Sequence, residues 1–263
     1  MADIASLLAA YDDQLRAAEI GNLPPGARAE RDGPIYRVVG LAQRGFISGP
    51  RDLGLCGPAL DGVIARQRSF FAARGEAVEW KTRAHDLPAD VPQRLLSAGF
   101  VPEDRETVLI GVAAELPVLN ALAPDGVTLR EVHADADMHR IAELSSEIWD
   151  EDRSWLAASL IDQVRADPDR TVVVVAEVGD QMISAARLEI EPGTEFAGLW
   201  GGSTLPAWRG RGIYRALVAH RARLATARGI HYLHVDATED SRPILQRWGF
   251  TAVTTTTPYV WTP

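Results

Sequence analysis

Trp208-Arg209-Gly210-Arg211-Gly212-Ile213-Tyr214 is the stretch that decides how this chain is read. It follows a strand-like run at 195–205 and opens a helical pattern that reaches about Arg228. A tight glycine turn aims consecutive backbone N–H groups at one point. The helix behind it adds the positive end of its dipole. Arg209 and Arg211 flank the turn and supply charge-assisted donors for phosphate oxygens. The segment reads as a phosphate cradle between a strand and a helix.

Downstream, Ile213, Ala216, Leu217, His220 and Leu224 recur at helical spacing and predict an inner face, with Arg215, Arg221 and Arg223 pointing outward. A strand at 231–237, a helix at 240–248 and a last strand within 251–261 complete this end. Upstream lie a strand at 127–132, helices at 135–149 and 154–166, and strands at 171–177 and 181–191. The run Val172-Val173-Val174-Val175 predicts a buried strand. Before these, the patterns predict a helix at 3–20 started by Asp3, a Pro/Gly-rich loop at 22–33, and strands at 35–41 and 45–48. A helix at 59–74 follows, with Leu60, Val63, Ile64, Gln67 and Phe71 on one face. A strand at 77–82, a helix at 91–98 and a strand at 106–112 end this half. Pro117, Pro124 and the turn pair Asp125-Gly126 mark a break. The expected organisation is a domain at 1–115, a linker at 116–126 and a second domain at 127–263.

An internal repeat supports the division. Residues 59–75 align without a gap on 213–229: Ala73-Arg74-Gly75 falls on Ala227-Arg228-Gly229, and Val63-Ile64 on Leu217-Val218. Further on, Gly99-Phe100 matches Gly249-Phe250. The chain reads as two copies of one unit, the first shortened at its front.

Composition narrows the function. The chain has 263 residues, 46% hydrophobic, with a net charge of −9, so no basic excess favours nucleic acid. Cys56 is the only cysteine, which excludes an intrachain disulfide and a cysteine-based zinc cluster. His231 and His234 sit in one predicted strand at a spacing that places them on opposite faces, a poor metal pair. No metal is expected. No basic leader precedes an apolar run and no stretch approaches a membrane span, so the expectation is a cytoplasmic protein without membrane contact.

With these residues in place, the second half resembles the GNAT superfamily, the GCN5-related N-acetyltransferases. The family signature, Gln/Arg-x-x-Gly-x-Gly/Ala, falls on Arg209, Gly210, Arg211, Gly212, Ile213 and Tyr214. Its first and fourth positions match, and Tyr214 replaces a small residue. The context agrees: a strand, the loop, a long helix, a strand, a short helix and Trp248-Gly249-Phe250. The resemblance covers 127–263 well and 59–112 in outline. It implies an α/β (α+β) fold of two GNAT-like domains, each a mixed, mostly antiparallel sheet flanked by helices. It further implies that acetyl-CoA is the co-substrate. Its pantetheine would add to the strand edge at Ser203, Thr204 and Leu205, and its pyrophosphate would sit on Arg209 to Tyr214. An amine would attack the thioester directly. The first copy carries Leu55, Cys56, Gly57 and Pro58 in place of the cradle, so it is expected to be non-catalytic.

The catalytic groups are less marked. Stripping the proton from a lysine-like amine near neutral pH costs roughly 4–5 kcal/mol, so a base is useful. The family's usual glutamate slot, counted back from Pro206, is Gly198. Glu195, with Glu189 and Glu191 nearby, is the leading base candidate, against a reading of all three as solvated strand-end charges. The family's usual tyrosine slot is Leu245. Tyr214 stands as the alternative acid, against a packing role. For the acceptor, Trp149, Asp150, Glu151 and Asp152 join two helices and supply charge and aromatic faces for a cation. The competing reading is a solvated loop with Trp149 and Trp155 as core anchors. The expected function is acetyl-CoA-dependent N-acetylation of a small, cationic amine. The alternatives are a non-catalytic acyl-CoA-binding regulator or scaffold, and an ordinary tight turn that binds no CoA.

Overall fold

The computed structural model describes residues 3–21, 23–24 and 26–263. Met1, Ala2, Asn22 and Pro25, read from sequence as terminus and loop, lie outside the described residues. The chain forms two compact units with interleaved bounds. The first is Met1–Leu109 with Asp236–Ile244 and Ala252–Pro263; the second is Ile110–Val235 with Leu245–Thr251. The last strand, expected in the second domain, therefore belongs to the first unit.

In the first unit, the amino-terminal helix is broken by a π-turn. Helix α1 (Ile4–Ala10) runs through Tyr11–Leu15 into α2 (Arg16–Gly21). Asp3 takes the N-cap position without a side-chain cap bond. Strands β1 (Arg28–Asp32), β2 (Ile35–Val39) and β3 (Gly45–Ser48) form an antiparallel meander. The predicted loop at 22–33 thus contains a strand, because Glu30 on β1 pairs across to Arg37 on β2. Helix α3 (Gly57–Arg74) leads to β4 (Val78–Arg83), which pairs parallel with β3. Helix α4 (Val91–Ser97) and the short β5 (Val101–Pro102) follow. The final strand of the chain, β12 (Thr251–Trp261), pairs antiparallel with β4 from Thr256↔Arg83 to Trp261↔Val78. The face of α3 is as the spacing predicts: Leu60, Val63, Ile64, Gln67 and Phe71 are all buried. The four apolar ones pack with Ile47, Val78, Trp80, Leu95 and Phe100. Gly45 is obligatory, since a Cβ there would run into the Phe71 ring.

In the second unit, the end of β6 (Glu106–Val112) precedes two 3-10 turns at Ala113–Glu115 and Pro117–Asn120. Strand β7 (Thr128–Val132), helices α5 (Asp135–Trp149) and α6 (Trp155–Ala166), and strands β8 (Thr171–Val178), β9 (Gln181–Ile190) and β10 (Phe196–Thr204) come next. The valine run of β8 is fully buried, as its composition requires. Helix α7 (Ile213–Ala227) connects to β11 (Tyr232–Ala237), and α8 (Arg242–Arg247) follows. The sheet order is β11-β10-β9-β8-β7, antiparallel except for the parallel pair β10–β11.

One predicted face needs correction. Arg221, expected to point outward, is 1% exposed, whereas His220 is half-buried beside Glu131 at 3.6 Å. The buried stripe of α7 keeps the predicted Ile213, Ala216 and Leu217 and widens to Val218, Ala219, Arg221, Ala222 and Ala225. Small alanines let the helix sit close to the sheet, and the polar residue at 221 is drawn in with them.

Candidate active site

The glycine turn forms between strand and helix, as the spacing predicts. Strand β10 ends at Thr204, Pro206–Trp208 makes one 3-10 turn, and Gly210 and Gly212 adopt φ values of 73° and 86°. Both angles are left-handed, where a side chain is strained and glycine is not. Gly212 is the N-cap of α7 and makes no side-chain cap bond. The first N–H groups of α7 have no intrahelical acceptor and so remain available to an anion. The Arg209 Nε donates to the Thr204 carbonyl at 3.0 Å, which folds that side chain against the strand end. The Arg211 guanidinium lies over the Trp208 ring at 4.9 Å.

Beside the cradle the sheet opens. Strands β10 and β11 pair in parallel over only three positions: Phe196↔Tyr232, Ala197↔Leu233 and Gly198↔His234. Beyond them β10 keeps its other partner, β9, through a bulge between Trp200 and Ser203. The edge of β10 that faced β11 is left without a strand from 199 onward. An extended ligand can add there as a strand would. Ser203 and Thr204 are held on the β9 side, where Ser184 Oγ donates to the Ser203 carbonyl at 2.6 Å and lies 2.8 Å from Thr204 Oγ1. The Leu205 N–H donates to Ile183 at 3.0 Å.

The closed end of this opening is lined by residues the sequence reading passed over. A Cβ on Gly198 would collide with Trp200 Nε1 and lie 3.0 Å from His234 Nε2. Glycine at 198 is therefore a steric requirement: the indole and the imidazole fill the space of a side chain. His234 is buried, with its ring edge-on to Trp200 at 5.9 Å between centroids. The sequence weighed it only as a metal ligand, because nothing local tells which neighbour a strand histidine meets.

Tyr214, on the first turn of α7, packs against Trp248 at 5.6 Å between ring centroids. Its ring approaches Gly202 at the bulge, 3.0 Å from where a Cβ would be. Burial pushes its phenol above the usual tyrosine range, and Arg221 pulls the other way. The hydroxyl therefore stays protonated at neutral pH.

Glu195 lies elsewhere. It is exposed, precedes β10, and its carbonyl accepts the N–H groups of His231 and Tyr232 at 3.1 and 2.9 Å. Seven residues of extended strand, roughly 23 Å at about 3.3 Å each, separate it from Gly202, where the Tyr214 ring lies. The structure does not bring the two candidate catalytic residues together. Glu189, paired with Gly198 in register, is engaged by the Arg187 guanidinium.

The acidic loop is exposed at both tryptophans, Trp149 at 53% and Trp155 at 45%, so neither is a core anchor. Asp150 is the one described non-glycine residue at positive φ, 54°, and closes α5. Part of the cation-binding chemistry is already used. Arg153 sits over Trp149 at 5.0 Å and bonds Glu151 at 3.1 Å, while Asp152 accepts the Ser154 N–H at 3.0 Å, which holds its carboxyl below the usual range.

The fold has counterparts among known proteins. Residues 136–250 match the acetyltransferase (GNAT) family. A GCN5-related N-acetyltransferase from Kribbella flavida superposes with a TM-score of 0.73 at 16% identity, covering 100% of this chain and 96% of that one. A GCN5-related N-acetyltransferase from Sphaerobacter thermophilus gives 0.66 at 15% identity, with 98% and 91% covered. A tandem GNAT protein from the clavulanic acid biosynthesis pathway gives 0.65 at 13%, with 93% and 86% covered. No curated protein matches the sequence. At these identities the structural likeness establishes the fold, which is GNAT-like in both halves. Among the described residues no helix is long and apolar enough to cross a membrane.

Proposed function

We propose that this chain, whose residues 136–250 form a GNAT domain, transfers an acetyl group from acetyl-CoA to the amine of a small acceptor. The observation that carries the reading is the alignment of two features on one strand: β10 has an open edge, and it runs directly into an uncapped helix start. A long ligand with an extended, amide-bearing arm and a pyrophosphate head fits both. In this reading the amides of Arg209 to Tyr214 hold the pyrophosphate, with Arg209 and Arg211 as charged flanks. Ser203, Thr204 and Leu205 present the strand edge to the pantetheine. Tyr214, kept protonated by burial, stands as a hydrogen-bond donor beside the bulge. Glu195 has no part, because the strand length keeps it from the other groups. Trp149, Asp150, Glu151 and Asp152 offer an acceptor cation a place only by displacing Arg153. The first unit, which lacks the cradle, carries no chemistry.

Calorimetric titration with CoA, followed by thiol release from acetyl-CoA across a panel of small amines, tests the proposal. Binding with amine-dependent thiol release is expected. Binding without thiol release on any amine would favour a non-catalytic acyl-CoA-binding role. Absence of CoA binding would reduce the cradle to a tight turn.

A further inference from the structure

Arg221 is among the largest fully buried side chains of the protein, and among the described residues it makes no salt bridge. Its Nε donates to the Leu217 carbonyl at 3.1 Å. Its Nη1 donates to the Arg187 carbonyl at 2.9 Å and the Trp200 carbonyl at 3.4 Å. These bonds clamp β9 to β10 at the bulge. They leave Nη2, with two N–H groups, without a hydrogen bond among the described residues. That nitrogen lies 3.9 Å from where a Cβ on Gly202 would be, on the same spot that the Tyr214 ring approaches.

A desolvated cation with no counter-charge is costly to keep. Burial lowers the guanidinium to about 10, so it is still protonated at neutral pH. The equivalent helix position in the first unit is Gln67, also fully buried, and it is neutral. The cation stands in the unit that has the cradle; the unit without it has an amide at that place. Position along β10 says what the charge faces. An extended arm leaving the cradle near Leu205 and following the open edge for roughly four or five strand residues, at about 3.3 Å each, ends near the bulge at 200–202.

Resting on the CoA reading above, we propose that Arg221 is a catalytic residue of the transfer, whose unspent Nη2 edge stabilises the sulfur anion that leaves at the β10 bulge. In that step the amine nitrogen pair forms the N–C bond and the C–S bond breaks. The sulfur keeps its electron pair as thiolate, and the extra proton on nitrogen passes to solvent. Arg221 stays protonated throughout, contributing charge and no proton. The other titratable groups on this part of the sheet and helix are Arg187, paired with Glu189, together with His234 and the neutral Tyr214.

CoA itself is the probe. The thiol of CoA bound to the full chain is titrated by the ultraviolet absorbance of its thiolate. Its ionisation is expected about one pH unit or more below that of free CoA. Arg221→Gln, the residue found in the first unit, should return it to the free value, and Arg221→Lys should keep at least half the shift. Thermal melting checks that the variants fold; if Arg221→Gln does not, the wild-type shift and Arg221→Lys decide. Equal titration of free and wild-type-bound CoA overturns the proposal, and so does a shift that survives Arg221→Gln. Failure of the chain to bind CoA at all defeats the donor reading itself, a different result from binding with an unshifted thiol.

Discussion

The loop entering α7 and the loop entering α3 occupy equivalent places in two copies of one fold. Both are preceded by a strand that pairs in parallel with the strand after the helix, and both ladders are three residues long: 45–47 with 78–80, and 196–198 with 232–234. Both helices end at left-handed glycines, Gly75 and Gly229. The difference lies in the amides. Before α7, Gly210 and Gly212 turn the chain so that the helix start is uncapped. Before α3, Pro58 has no N–H, and the Gly54 N–H is taken by the Asp52 carboxylate at 2.8 Å. Arg16 also lines the space beside β3 and β4, with Gly49, Trp80 and Lys81. Arg16 reaches the Gly49 carbonyl at 2.7 Å and pairs with Asp86 at 2.6 Å and Asp12 at 3.1 Å. A hydrophobic ladder can therefore keep a fold while a few turn residues change how many amides the helix start leaves unsatisfied.

The sharpest way to break the comparison is Arg16→Met. Removing one partner from this buried ion cluster should cost about 3–5 kcal/mol, read by urea unfolding, with CoA affinity unchanged. A gain of a second CoA site in that variant would mean that Arg16 alone closes the first unit. Next, Arg209→Ala/Arg211→Ala should weaken CoA roughly a hundredfold, as two charge-assisted contacts are lost, with the melting temperature unmoved. Asp52→Asn in the first unit should leave CoA affinity as it was. Unaltered affinity in the double variant would remove the phosphate role of the loop.

Gly198→Ala tests the closed end of the β10–β11 opening. Its methyl would have to displace Trp200 or His234, a cost of about 1–3 kcal/mol that a thermal melt reports. A neutral result would show that the indole swings away freely.

Smallest is a pH effect in the first unit. Burial, with Asp236 nearby, raises half-buried Glu106 from 4.5 to about 7, against the opposing pull of Lys81. Its folded value lies above the unfolded one, so the native state holds a proton that the unfolded state has lost between pH 4.5 and about 7. Stability attributable to this group therefore falls as pH rises through that window. Glu106→Gln should flatten the fall and stabilise the chain at pH 8 by about 1–2 kcal/mol after allowance for solvent screening. A pH profile identical to wild type would contradict it.

Much of this was legible from local patterns. The strand at 45–48, the helix at 135–149, the buried valine strand, the inner face of α3 and the glycine turn before α7 all follow from spacing and turn chemistry. The face of α7 was not, because its small alanines make the hydrophobic stripe broad and Arg221 falls inside it. Helical periodicity weighs an arginine as polar; it has no means of counting the carbonyls that wait for it. Glu195 read as a neighbour of the site because sequence distance along an extended strand conceals about 3.3 Å per residue. The interleaving of the units was equally hidden, since β12 pairs with a strand some 170 residues earlier.

By itself, then, the sequence determined most of the elements, the repeat and the glycine turn before α7, because these depend on residues within a few positions of one another. Only the tertiary structure decided that Arg221 is buried, that Trp200 and His234 occupy the space above Gly198, and that Arg16 is buried against Gly49, Asp86 and Asp12. Each of these rests on contacts between distant segments, where burial and hydrogen-bond satisfaction are settled by packing and not by neighbours in the chain.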